Sequence, residues 1–319
     1  MNVVVTGSIA YDYLMFFPGE FTSHLLEDQL ESLSVSFLVD SLRRERGGTA
    51  ANIAYTLALL RGRPCILATA GQDFDEYRAW LEKHGADTSA VAVIEDEYCA
   101  SFFVNTDQKQ NQIGHFYAGA MAHAGRLRFA EHTPEGELAI ISPNEPGAMR
   151  SYVEECKALG LPYIYDPSQQ TIRLSGDDLR AGIDGCHLLT VNEYELGMIV
   201  DKTGLREEQI REIAGGLLVT YGKAGSEITI DGASYHIPVV PTATVVEPTG
   251  AGDAFRAGLI RGIQLGLPWD VCGRMGALAA TYVLEKMGTQ NHHYTPAAFV
   301  ARYREHFDDR GALDVLLNE

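Results

Sequence analysis

The chain has 319 residues, 46% of them hydrophobic, enough to bury a core in one large α/β domain or two ordinary ones. Acidic residues outnumber basic ones 43 to 25, for a formal charge of −18. That excess excludes general binding to nucleic acid or to anionic membranes, which need cationic surface, but leaves room for a local anion site.

The five cysteines, Cys65, Cys99, Cys156, Cys186 and Cys272, are scattered and form no C-x-x-C pair, the pattern of free thiols in a reducing compartment. Residues 1–7 lack a basic n-region and read as a first strand, not a signal peptide, and no apolar run approaches the ~20 residues of a membrane span. A cytoplasmic protein is expected. Residues 11–42 differ in character: they carry Phe16, Phe17, Phe21 and Phe37, several acids and no Lys or Arg, and 34–39 alternates like a half-exposed strand. Gly47-Gly48-Thr49-Ala50-Ala51-Asn52 is a glycine turn that opens a helix over 51–60. A strand at 65–69 and a helix at 74–84 follow. Then 100–105 and 112–117 read as two strands around a polar turn. Further strands are expected at 138–142, 163–166, 187–191 and 217–220, with helices at 148–159, 193–200 and 207–214. Asp231-Gly232 between 226–230 and 234–237 is a hairpin signal. Valine- and threonine-rich 239–246 reads as extended chain, and helices are expected at 254–265, 269–286 and 296–307.

This alternation predicts a mostly parallel central sheet flanked by helices. The core would comprise 1–10, 43–95 and 119–319. The interruptions 11–42 and 96–118 would pair into a small β-sheet lid.

The chemistry concentrates in Glu247-Pro248-Thr249-Gly250-Ala251-Gly252-Asp253. A small-residue turn feeding a helix N-terminus offers free N–H groups and the positive end of the helix dipole to an anion. A carboxylate in such a turn repels phosphate unless its task is to take a proton from the group that attacks it, so Asp253 points to phosphoryl transfer. Other polar or glycine turns fall at expected strand ends, where α/β sheets bind ligands. They are Asp12, Gly48 with Asn52, Asn192 with Glu195, and Thr220 with Gly222 and Gly225. A Walker A loop and a Rossmann glycine fingerprint are both absent.

These stretches resemble the ribokinase-like (PfkB) family of sugar and nucleoside kinases. Gly47 to Asn52 is similar to its first signature. Glu247 to Asp253 is similar to its second, with Glu where Asp is more usual. Asn192-x-x-Glu195 and Thr220-x-Gly222-x-x-Gly225 resemble its two nucleotide-side motifs, in the family's order. The resemblance implies a ribokinase-like fold and an ATP-dependent kinase. Asp253 would be the base, and the N–H groups of Gly250, Ala251 and Gly252 an anion hole. Asn192 and Glu195 would orient Mg²⁺ through its waters. Thr220, Gly222, Gly225 and Thr249 would line ATP, and Gln290 would border the adenine. Asp12, Gly48 and Asn52 would hold acceptor hydroxyls. A monovalent cation near the second signature, known in relatives, is left open by Glu247.

The acceptor is read from the lid. A phosphorylated acceptor calls for Lys or Arg beside it, and the two insertions carry only Lys109. Their aromatics, Phe16, Phe37, Phe102, Phe103, Phe116 and Tyr117, suit a flat base. Adenosine, phosphorylated at its 5′-hydroxyl, is the expected acceptor. A free neutral sugar such as ribose is the alternative, and a non-catalytic nucleotide-binding regulator the reading from another class. Both a monomer and a homodimer joined through the lid fit the pattern. His292-His293 has no further ligands at metal spacing.

Overall fold

Val3, Val4 and Val5 are all buried, Val3 and Val5 in one hydrophobic cluster and Val4 in another. A strand apolar on both faces needs helices on both sides, and the fold supplies them. The computed structural model describes residues 1–24, 34–133 and 136–318.

Strand β1 (Val3–Thr6) leads into β2 (Ala10–Phe16) and β3 (Ser41–Gly47), then α1 (Thr49–Leu59), β4 (Cys65–Gly71), α2 (Asp75–His84) and β5 (Val91–Ile94). After these come β6 (Ala100–Thr106), β7 (Gln112–Tyr117), α3 (Phe129–His132), β8 (Leu138–Ile141), α4 (Pro146–Leu159), β9 (Tyr163–Tyr165) and α5 (Gly176–Ile183). The chain continues through β10 (Leu188–Asn192), α6 (Glu193–Thr203), α7 (Glu207–Ile213), β11 (Gly216–Thr220), β12 (Ser226–Ile230) and β13 (Ala233–Ile237). It ends in α8 (Ala251–Gln264), α9 (Trp269–Leu284), α10 (Pro296–His306) and α11 (Val315–Asn318).

The main sheet has nine strands in the order β13-β12-β11-β10-β9-β8-β1-β4-β5. Strands β11 through β5 in that order run parallel, and β12 pairs antiparallel with both β11 and β13. One cluster packs α1, α2, α8, α9 and α10 on one face; the other packs α4 to α7 on the opposite face. The chain reverses direction across the sheet between β1 and β8, and a ligand crevice is expected beyond the carboxyl ends there.

The lid is a second sheet in the order β3-β2-β6-β7. Its two insertions are stapled together: Phe17 N–H donates to Thr106 O at 2.8 Å, and Phe21 N–H donates to Asp107 Oδ2 at 3.0 Å. Its extent differs from the expectation. The strand that completes it is β3, so the first insertion runs to Gly47, past residue 42. Residues 34–39 form no strand; Phe37 instead packs against Phe17 and Phe21, with centroids 5.0 and 4.9 Å apart. Thus the lid does contain arginines. Arg44 and Arg46 face away from the crevice, pairing with Glu76 and stacking on Tyr11 and Trp80, while Arg43 shares the face of Glu45 and is ion-paired to it. Residues 239–246 are irregular, and β5 and α5 were not anticipated.

Registry across the lid sets its inner face. Glu45 lies opposite Asp12, Asp12 opposite Phe102, and Phe102 opposite Phe116. Cross-strand partners share a face, so two carboxylates and two aromatic rings stand in one row. Arg44, Tyr13, Phe103 and His115 form the neighbouring row, on the other face, with Tyr13 stacked on Phe103 at 4.6 Å.

Candidate active site

Gly48 caps α1 with φ +92°, and a side chain there would strike Ser8 O at 2.5 Å. Only glycine tolerates both. The tight entry brings Asn52, one turn into α1, below the lid. At the other end of the chain Gly250 caps α8 with φ +81°. Asp253 is then in the first turn of that helix, buried, and 2.8 Å from Asn52 across 201 residues of sequence.

Both carboxylate oxygens of Asp253 are held. Asn52 Nδ2 donates to Oδ2, and Arg256 Nη2 donates to Oδ1 at 2.6 Å. Asn52 is itself oriented, because its Oδ1 accepts from Thr289 Oγ1 at 2.8 Å and Gln290 Nε2 at 2.9 Å. A carboxylate has about four lone-pair sites, so Asp253 keeps capacity for one more donor.

A cavity of about 510 Å³ opens between the lid row and the strand ends. Its wall brings together Asp12, Gly48, Asn52, Phe102, Phe116, Asn192, Glu195, Thr220, Thr249, Gly250, Gly252 and Asp253. Other expected residues lie elsewhere. Phe16 is a half-exposed residue at the end of β2, and Phe37 belongs to the lid-tip cluster. Gly222 and Gly225 shape the turn after β11 with φ +57° and +93°, outside the wall. Gln290 is buried under Asn52, bonded to it and to the Tyr77 hydroxyl, and is not part of the cavity wall. The backbone of the turn also differs in detail. Ala251 N–H is taken by Pro248 O at 3.2 Å, while among the described residues the amides of Gly250 and Gly252 donate to no other group.

Sequence reasoning missed Ser168 and Gln169, which line the cavity, and Arg256. The strand-end rule could have found the first two, since they lie in the turn after β9, just past Asp166 and Pro167. His292 is a core residue, bonded to Thr56 and held neutral by burial, which lowers its pKa to about 4.

The wall is acidic, with Asp12, Glu195 and Asp253, and Arg256 is its only Lys or Arg among the described residues. Burial pushes the Asp12 carboxyl up to about 7, helped by Glu247, Asp253 and Glu45. Asn192 and Glu195 cap α6 reciprocally: Glu195 N–H donates to Asn192 Oδ1 at 2.8 Å, and Asn192 N–H to Glu195 Oε2 at 2.9 Å. Glu195 lines the cavity, and its Oε1 takes no part in this capping pair. Among the described residues no group of three or more His, Cys, Asp or Glu could hold a metal alone. The hard oxygen donors of Asn192 and Glu195 therefore fit Mg²⁺ only as a partner that keeps waters and phosphate oxygens. Glu247 Oε2 accepts from Gly288 N–H at 2.9 Å, which ties the turn before α8 to the loop after α9.

The sequence matches the model of the pfkB family of carbohydrate kinases over residues 5–296. A nucleoside kinase from Methanothermobacter thermautotrophicus is 30% identical, over 91% of this chain and 92% of its own. The structure of a Burkholderia thailandensis nucleoside kinase in complex with inosine superposes with TM-score 0.85 at 36% identity, covering 96% of this chain and 98% of that one. A second structure of that enzyme, in complex with ADP-inosine, gives TM-score 0.83 at 37% identity, covering 96% of each chain.

Proposed function

We propose that this chain, which belongs to the pfkB family of carbohydrate kinases, phosphorylates the 5′-hydroxyl of a purine nucleoside, adenosine first and inosine second. Family membership makes it an ATP-dependent nucleoside or sugar kinase. The observation that carries the nucleoside reading is the row Asp12, Phe102, Phe116 on the inner face of the lid. Asp12 can accept ribose hydroxyls while the two rings cover a base. Inosine earns its place from the relative of known structure that binds it.

In this reading the acceptor oxygen attacks the γ-phosphorus as the bond to the β–γ bridging oxygen breaks. The electron pair leaves with ADP, and the hydroxyl proton passes to Asp253. The open amides of Gly250 and Gly252 face the phosphoryl oxygens, where such donors act on developing charge. Thr220 and Thr249 border the nucleotide. Asn192 and Glu195 would hold Mg²⁺ through its waters, and the ion would supply further charge neutralisation at the phosphates. A cytoplasmic site of action is inferred with it; among the described residues no helix is long and apolar enough to cross a membrane. A homodimer through the lid would use the exposed edge of β7 and is tested by size-exclusion chromatography with light scattering.

A coupled ADP-release assay with adenosine, inosine, ribose and fructose 6-phosphate tests the function. A nucleoside should give the highest kcat/KM. A preference for ribose would replace the acceptor, and ATP binding without turnover on any acceptor would favour a regulator.

Two further outcomes are expected. Phe116→Ala should raise the nucleoside KM about tenfold, the equivalent of ~1.4 kcal/mol of base stacking, and leave the ribose KM within about twofold. Equal effects on both would remove the stacking role. For Asp12, lowering the pH through about 7 adds the proton that burial favours, and a protonated carboxyl accepts hydroxyls poorly. The nucleoside KM should therefore rise between pH 8 and pH 6, and Asp12→Asn should flatten that dependence. A wild-type KM constant over this range would show that Asp12 does not titrate there.

A further inference from the structure

Burying a guanidinium is costly unless it is paired, and Arg256 is paired twice. Its side chain is 15% exposed; Nε stands 2.8 Å from Asp166 Oδ2, and Nη2 donates to Asp253. Asp166 follows β9 and is completely buried. Burial pushes its carboxyl pKa up, and the guanidinium pulls the other way. Beyond this ion-pair contact, the Thr190 hydroxyl is the polar side chain that also favours the charged form of Asp166. A carboxylate buried so expensively, with Arg256 as its ion-pair partner, fixes where that cation sits.

That position is the transfer site. Arg256 lines the cavity, whose wall otherwise offers carboxylates and amide dipoles. A side chain built on Gly252 would meet Arg256 Nη1 at 3.3 Å, so the third arm of the guanidinium flanks the turn that presents the open amides. Among the described residues Nη1 has no hydrogen-bond partner, and it is not fully buried. One arm is thus tied to Asp166, one to the base, and one is free on the phosphoryl side.

We propose that Arg256 is a further catalytic residue, whose Nη1 contacts the transferring phosphoryl group, and that Asp166 is its positioning residue. The inference rests on the kinase reading above. As the acceptor oxygen bonds to phosphorus and the bridging oxygen departs, charge spreads over the equatorial oxygens, and a fixed guanidinium beside them lowers the barrier without reorganising. Its second contact keeps Asp253 aligned as that carboxylate takes the proton.

The test compares wild type with Arg256→Gln, Asp166→Asn and the double variant. Arg256→Gln should lower kcat by about 10²–10³-fold, the effect of deleting one such donor, with nucleoside KM within about threefold. The double variant removes both buried charges, restores the core and should remain as slow as Arg256→Gln. Recovery of turnover in the double variant would mark a structural ion pair, and a loss under about fivefold in Arg256→Gln would remove any catalytic role. A binding arm stands apart from turnover. Wild type should hold β,γ-imido-ATP more tightly than ADP, and Arg256→Gln should lose about tenfold toward the imido analogue alone. Equal change toward both nucleotides, or none, would overturn the proposal even if the acceptor had been misread. Wild-type inactivity with every acceptor would instead count against the function proposed above.

Discussion

Asp253→Asn is expected to lower turnover by about 10³-fold while leaving ADP affinity within about threefold, which steady-state kinetics and nucleotide titration would measure together. Removing the base removes the route for the acceptor proton. The geometry adds a second cost. Asp253 accepts on both sides, from Asn52 Nδ2 and from Arg256 Nη2. An asparagine has a single acceptor oxygen, so its amide must face one of those donors with its own NH₂ group. The variant is therefore misaligned as well as neutral. The proposed nucleotide side, Thr220, Asn192 and Glu195, is on other elements and should bind as before. A variant retaining more than about a tenth of wild-type turnover would show that Asp253 is not the base.

The site's frame was readable from sequence because its parts are local. A glycine turn that opens a helix, as at Gly48 or Gly250, depends on backbone geometry within a few residues, and strand-end polar residues such as Asn192 and Thr220 follow from periodicity. The lid boundary was not readable in this way. Strand β3 carries Arg43, Arg44, Glu45 and Arg46, and charges of that density read as loop, although an edge strand uses them against unwanted pairing. Conversely, the alternation around Phe37 suggested a strand, yet the ring serves an aromatic cluster with Phe17 and Phe21. The place of Gln290 was not readable, because its position after α9 says nothing of the direction of its side chain, which tertiary packing turns beneath Asn52. Arg256 looked like an ordinary polar residue of an amphipathic helix. Only the fold brings Asp166 to it, from the end of β9 in the middle of the main sheet.

Asn52 was expected to hold acceptor hydroxyls, yet its amide is spent mainly on the base, and that makes Asn52→Asp the second substitution of large effect. The change replaces one NH₂ group with an oxygen in a buried pocket. Thr289 and Gln290 would still donate to Oδ1, so that oxygen keeps its partners. The other oxygen would face Asp253 Oδ2 across what is now a 2.8 Å donor–acceptor contact. Two carboxylates that close cannot both ionise, so the pair would retain one proton between the facing oxygens, on the atom that should receive the acceptor's proton. Turnover should fall at least about 10²-fold at pH 7 and recover partly at higher pH, as the shared proton leaves. Stability should move the opposite way. A carboxyl whose folded pKa is raised above its unfolded value favours the folded state at low pH, and this advantage is lost as pH rises through the raised value. The melting-temperature deficit against wild type should be small near pH 5 and grow toward pH 8, where an uncompensated buried charge costs about 3–5 kcal/mol. A deficit independent of pH would mean lost packing instead of repulsion, and unchanged turnover would mean that Asn52 does not orient the base.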